Sequence, residues 1–214
     1  MIYLIGGPPR CGKTTVARRL AAVFGCPWVQ TDYLESAFSA YFPPGEYEPH
    51  HLDPGPDIPR ERRNDAVYAK FSAAEIIARY RALAGRTWPG LRTIVEYALF
   101  DGEDFILEGF HVDPEHVRRF LADTDASLAR DVRTIFLIRE DPGDILASIR
   151  RGGHRNDWVL TKTQQEATFE RIARMIARYG AVVRAAAEGA GLPVVNVDRD
   201  FDRQVGRATR ILTA

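Results

Sequence analysis

Residues 7–14 read Gly-Pro-Pro-Arg-Cys-Gly-Lys-Thr: a glycine, four residues, then glycine, lysine and threonine. With an apolar run before it and a helical pattern after it, this spacing is that of a loop that wraps phosphate. Gly7 and Gly12 let backbone N–H groups turn inward, and Pro8 and Pro9 take positions that need not donate. The helix that starts behind the loop presents its positive end. Lys13 reaches the β- and γ-phosphates as a mobile point charge, and the Thr14 hydroxyl is a ligand for Mg²⁺. Gly7, Pro8, Pro9, Arg10, Cys11, Gly12, Lys13, Thr14 and Thr15 are therefore expected to bind a nucleoside triphosphate, ATP with Mg²⁺. Cys11 reads as tolerated in the loop and not as a nucleophile. The chain has three lysines, Lys13, Lys70 and Lys162, in a cation set otherwise made of arginine.

Two carboxylates follow apolar runs. Asp32 lies just past residues 27–30 and Glu108 just past Phe105-Ile106-Leu107. In a parallel sheet, ligands bind beyond the carboxyl ends of the strands, where both would sit. Asp32 also reads as an N-cap, and Glu108 as a strand-end residue paired to an arginine. His50-His51 with Asp53 resembles a metal cluster but lies in a polar, proline-rich stretch and reads as solvated. Trp88 and Trp158 read as packing residues.

The elements that must position these residues alternate. Residues 2–5, 27–30, 105–107, 132–138 and 193–197 read as strands, apolar on both faces. Between them run helical patterns. Val16, Leu20 and Val23 share a face of the first. A second helix is expected from Asn64 or Asp65 to Ala84, stopped by Gly85, and a third from Pro89 to Gly102. Asp113-Pro114 and Asp141-Pro142 each place a cap before a proline at the first helical position. Thr163 and Glu166 form a capping-box pattern, and Asp202 reads as the cap of a final helix. Residues 43–65 hold Pro43, Pro44, Pro54, Pro56 and Pro59 and read as a long irregular loop. The pattern is α/β, about five parallel strands sandwiched by helices, in one domain over residues 1–214.

Lysine plus arginine equals aspartate plus glutamate, 29 against 29, a balance that argues against nucleic acid as a partner. Two cysteines imply no disulfide framework. No apolar run approaches a membrane span, and the start lacks the basic flank of a signal peptide, so a cytoplasmic protein is expected. There is no Asn-Lys-x-Asp for guanine and no Leu-Ser-Gly-Gly-Gln of a transporter ATPase. The oligomeric state is not legible.

With the phosphate loop, three further segments resemble, in order along the chain, the nucleotide- and metabolite-kinase branch of the P-loop NTPase fold. They are Thr31-Asp32-Tyr33-Leu34, Ile106-Leu107-Glu108-Gly109-Phe110-His111, and residues 150–157, Arg-Arg-Gly-Gly-His-Arg-Asn-Asp. The second is similar to the strand-end segment of uridine kinases, phosphoribulokinases and 2-phosphoglycerate kinases. The resemblance implies a small-molecule kinase that moves the γ-phosphate of ATP to a hydroxyl. Asp32 would accept or orient the acceptor proton. Glu108 would hold Mg²⁺ or the substrate, and His111 would line the acceptor pocket. Arg151 and Arg155 would close over the transferring phosphate, and Arg150 would flank adenine. Residues 43–100 would form an acceptor-binding insertion and residues 150–160 a lid, with 43–65 and 151–158 closing together. The other readings are a P-loop ATPase or nucleotide switch, and a kinase-like enzyme acting on a nucleotide or macromolecule.

Overall fold

Five short apolar segments without polar faces must each find cover on both sides, and they do so by pairing into one sheet between layers of helices. The computed structural model describes residues 1–43, 52, 54–152 and 157–214. Its strands are β1 (Ile2–Gly6), β2 (Trp28–Gln30), β3 (Phe105–Glu108), β4 (Val132–Ile138) and β5 (Val194–Asn196). All pair in parallel, in the order β2-β3-β1-β4-β5, with β1 central. The helices are α1 (Lys13–Phe24), α2 (Thr31–Ser39), α3 (Arg63–Lys70), α4 (Ala73–Asp101), α5 (Pro114–Asp123), α6 (Ala126–Ala129), α7 (Pro142–Arg151), α8 (Trp158–Thr161), α9 (Glu166–Gly189) and α10 (Phe201–Thr213). A 3₁₀ turn at Arg60–Arg62 leads into α3.

Asp113 and Asp141 cap α5 and α7 as their cap-and-proline sequences predict, accepting from Glu115 N–H and from Gly143 and Asp144 N–H. Four local expectations fail for non-local reasons. The break falls at Phe71-Ser72, where Ser72 and Glu75 build a capping box, and α4 then runs unbroken through Gly85 and Pro89. An internal proline costs a helix ~3 kcal/mol. Here Ile76, Ile77, Leu83, Ala84, Trp88, Leu91, Val95 and Leu99 are all buried along α4, and that face outweighs the breaker. Thr163 does not cap α9. Its hydroxyl accepts from Asn64 Nδ2 at 2.9 Å, while the Asp65 carboxylate takes the N–H groups of Gln164 and Gln165 at 3.0 and 3.2 Å. Asp202 does not cap α10, whose N-cap is Asp200; it pairs with Arg19 at 3.0 Å. Val16 and Leu20 are fully buried, but Val23, in phase with them, is 67% exposed in the last turn of α1.

Helix α9 presses on the end of β4 at Gly180, where a Cβ would stand 2.1 Å from the Arg139 carbonyl oxygen. A glycine-to-alanine change inside a helix ordinarily gains up to ~1 kcal/mol. At this site the clash with backbone decides the sign. Gly180→Ala is expected to destabilise by ~1–3 kcal/mol, as overpacking does. Urea unfolding at equilibrium checks it, with a lowered midpoint and an unchanged slope expected.

Candidate functional site

Strand register brings the chemistry to one end of the sheet. Glu108 on β3 stands level with Ile5 on β1 and Gln30 on β2. The chain leaves β1 at Gly6 and turns at Gly7, whose φ of 127° and whose approach to Leu137 (an added Cβ would lie 2.0 Å from its carbonyl oxygen) admit only glycine. The loop ends at Gly12, in the left-handed region at φ 83°, where α1 begins. Lys13 is 8% exposed, and its ammonium donates to the Pro8 carbonyl at 2.7 Å. Burial pushes the Cys11 thiol up to about 12, so it stays protonated and unreactive.

The Thr14 hydroxyl donates to Glu108 Oε1 at 2.7 Å and accepts from Gln30 Nε2 at 3.2 Å. Glu108 is 3% exposed. A hydroxyl oxygen touching a carboxylate oxygen, beside a phosphate loop, is a donor set that suits Mg²⁺, which keeps most of its positions for water and phosphate. No group of three or more His, Cys, Asp or Glu side chains able to hold a metal occurs among the described residues. His50, His51 and Asp53 lie outside them.

Two cavities open from this floor. The larger, about 840 Å³, is lined by Gly12, Thr15, Arg18, Arg139, Arg151, Asp200 and Phe201 among others. Arg139 is held there by Asp144 and by Asp198 at 3.1 Å, and the Phe201 ring lies where a Cβ on Gly12 would be. The smaller cavity, about 530 Å³, is lined by Asp32, Glu35, Tyr68, Tyr80, Glu108, Phe110 and Lys162 among others. Arg10, Lys13, Thr14, Gln30 and Trp158 border both. Arg10, in the left-handed region at φ 62°, ties two distant stretches to the loop: its guanidinium donates to the Ser148 carbonyl at 3.2 Å and to the Asp157 carboxylate. Arg151 sits in the last turn of α7 and faces the larger cavity. Arg150 is paired with Glu166 in solvent and lines neither cavity. Arg155 lies outside the described residues.

No protein-family model matches this chain, and no curated protein matches it. Among solved structures, a shikimate kinase from Bacteroides thetaiotaomicron superposes with a TM-score of 0.52 at 14% identity, over 100% of this chain and 99% of the other. A deoxyadenosine kinase from M. mycoides with bound dATP aligns with a TM-score of 0.44 at 12% identity, over 100% of each chain. The all-parallel five-stranded order, the glycine-bounded loop at the end of the central strand and the first superposition agree. The fold is that of the P-loop NTPases. Within this P-loop fold the specific likeness to uridine and 2-phosphoglycerate kinases finds no counterpart among the solved structures just described.

Asp32 stands in the first turn of α2 and faces the smaller cavity of the P-loop domain; no side chain caps α2. Its side chain keeps 64% of its surface open while it lines the cavity beside Glu35 and Glu108. Loss of surrounding water pushes its carboxyl up from the ordinary value; Lys13 opposes this, and Glu108 and Glu35 add to it. The open surface lets water screen these charges, so the direction matters here more than the size. His111 does not line the cavity. It is fully buried, shares a 2.8 Å hydrogen bond with Thr31 through Nδ1, and lies 3.7 Å from Asp32 Oδ1. It thereby fixes the residue just before Asp32.

Burial, with Lys13 adding to it, lowers the His111 pKa to about 3 from 6.5. The folded state therefore refuses a proton that the unfolded chain accepts. Stability is complete above pH ~6.5 and falls as pH drops toward the folded value. The loss is at most ~1.4 kcal/mol per pH unit, the limit for one proton. His111→Asn is expected to flatten the stability–pH curve between pH 4 and 6.5 relative to wild type, as read by urea titrations at each pH.

Sequence reasoning did not single out Gln30, nor Arg10 as a tie to Asp157. No local pattern marks either, because both act across more than a dozen residues.

Proposed function

We propose that this protein is an ATP- and Mg²⁺-dependent kinase that transfers the γ-phosphoryl group to a hydroxyl of a small metabolite. The observation that carries the reading is that two cavities meet on one phosphate-loop floor, with Lys13 and Thr14 lining both. A hydrolytic switch needs one of them; transfer between two bound molecules needs both. The structural likeness to a shikimate kinase supports the fold on which the reading rests.

Bound Mg²⁺–ATP would supply the transferable phosphoryl group and offset its negative charge. Gly7, Pro8, Pro9, Arg10, Cys11, Gly12, Lys13, Thr14 and Thr15 hold the phosphates, with Thr14 and Glu108 at the metal. Lys13 turns from the Pro8 carbonyl toward the charge that develops during transfer. Asp32 takes or orients the proton of the acceptor hydroxyl, and Arg151 meets the larger cavity's phosphate end. Glu108, His111 and Asp32 belong to the acceptor side, His111 by positioning Thr31 and α2. Residues 1–214 act as one domain, with 43–100 forming the acceptor wall and 150–160 the lid; Arg150 and Arg155 belong to that lid. The reading places the enzyme in the cytoplasm; among the described residues no helix is long and apolar enough to cross a membrane.

The test is ATP consumption with Mg²⁺ against a panel of hydroxyl metabolites, with products identified by mass spectrometry. Appearance of ADP and a phosphorylated acceptor in equal amounts is expected. Equal ATP hydrolysis with and without every acceptor, with inorganic phosphate as the product, would favour the ATPase reading and remove this one.

A further inference from the structure

The smaller cavity carries a wall that the transfer chemistry does not use. Arg63 from the first turn of α3 and Lys162 just after α8 line it, with Tyr68 between the polar rim and the core. The two cations are 99 residues apart in the chain, and a buried network holds their backbones together. Asn64 N–H donates to the Lys162 carbonyl at 2.9 Å, and Asn64 Nδ2 donates to the Trp158 carbonyl at 3.1 Å and to Thr163 Oγ1 at 2.9 Å. Asp65 adds the bonds to Gln164 and Gln165 N–H. Asn64, Asp65 and Thr163 are each less than a tenth exposed. Such a network fixes position, and what it fixes is two like charges on one cavity edge.

Among the described residues, neither Arg63 nor Lys162 has a carboxylate within ion-pair distance of its side chain. The contrast lies on the same floor, where Arg10 and Arg139 are paired to aspartates. Partial burial lowers the Lys162 pKa, and the charges of Arg60 and Arg63 lower it further. Among the described residues no carboxylate pairs with either cation, exposed Arg63 or half-buried Lys162. Tyr68 gives an independent sign. It is 6% exposed, and its hydroxyl is buried beside this cavity with no hydrogen-bond partner among the described residues. A buried donor of this kind carries a desolvation cost that a ligand atom would relieve.

We infer that the acceptor carries an oxyanion group, a carboxylate or a phosphate monoester, seated on Arg63 and Lys162 with the Tyr68 hydroxyl as a further donor. This rests on the kinase reading only in calling the ligand an acceptor. The chain therefore selects a charged hydroxyl compound over neutral sugars, polyols and nucleosides. A cavity of about 530 Å³ suits a small metabolite.

The experiment uses the full chain saturated with Mg²⁺ and a non-hydrolysable ATP analogue, so that the phosphate loop is filled. Inorganic phosphate, glycerate and glycerol are titrated in turn at constant ionic strength, with calorimetry and tryptophan fluorescence as readouts, Trp158 lining the same cavity. Saturable binding of at least one anion and none of glycerol is expected. Phosphate alone assigns a phosphate monoester, and glycerate alone a carboxylate. Arg63→Gln and Lys162→Gln should each weaken the anion by about tenfold or more, the size of a lost charge-assisted hydrogen bond, with analogue affinity unchanged. Tyr68→Phe should weaken it severalfold while leaving the free protein no less stable, since it removes a hydroxyl without a partner. Binding of neither anion, or variants that bind as wild type does, would overturn the inference. If both variants lose the anion but no hydroxyl compound consumes ATP, the anion site stands and the kinase reading fails. If neutral acceptors turn over as fast as charged ones, the kinase reading stands and the anion site fails as an acceptor site.

Discussion

Lys13→Ala is expected to lower phosphoryl transfer by roughly 10³-fold, the scale for removing a positioned charge that acts on the transition state. Lys13 is nearly buried, borders both cavities, and among the described residues has one hydrogen-bond partner, the neutral Pro8 carbonyl. Losing that bond costs the fold only ~0.5–1.5 kcal/mol. The surrounding apolar side chains, Val16, Ala17 and Leu20 of α1, are untouched. Circular dichroism should show the same helix content and a melting point within a few degrees, while product formation vanishes into background. A folded variant with undiminished turnover would remove the phosphate-loop assignment.

Asp32→Asn should lower turnover by ~10²–10⁴-fold, the span of general-base effects, with ATP affinity held within about threefold. Asp32 borders the smaller cavity and not the larger one, so it has no contact to lose with the nucleotide. Its pH signature is directional. Wild-type turnover rises as pH increases through the Asp32 pKa, which burial holds above the ordinary 3.8. The asparagine variant lacks that limb. A raised folded-state pKa also means that the native protein binds more protons than the unfolded chain just above pH 3.8, so ionised Asp32 costs stability at neutral pH. The variant should therefore be slightly more stable than wild type, an exchange of stability for activity. Collapse of ATP affinity with normal turnover per bound ATP would reassign the residue.

What the sequence shows directly is whatever depends on near neighbours. The loop at residues 7–14, the five apolar strands and the two aspartate–proline helix starts are set by spacing within a few residues, and all five strands lie within a residue or two of their expected places. Pro89 misleads because a helix breaker is weighed locally, while the buried face of α4 that overrides it is tertiary. Thr163 misleads for the same reason: its capping partner would be three residues away, but the acceptor it needs to be lies against Asn64. His111 was expected at the cavity and is instead behind it, since a residue after a strand end can face either way. The cations at Arg63 and Lys162 are unremarkable in a chain with this many arginines until the fold sets them on one edge. Asp32, Glu108, Lys13 and Thr14 were legible as a set because strand ends in a parallel sheet converge.

The bonds from Asn64 and Asp65 to residues 162–165 also set an order of events during synthesis. The short helix α3 has its first turn buried against a stretch that is made about a hundred residues later. Until the ribosome has released the chain past Gln165, α3 has no surface to settle on, and an eight-residue helix does not persist alone in water. The α3 edge of the smaller cavity is therefore completed late, after β1, β3 and β4 can already have paired. A nascent chain halted before residue 165 would carry the phosphate loop while α3, with Arg63 and Tyr68, still lacked the segment that seats it.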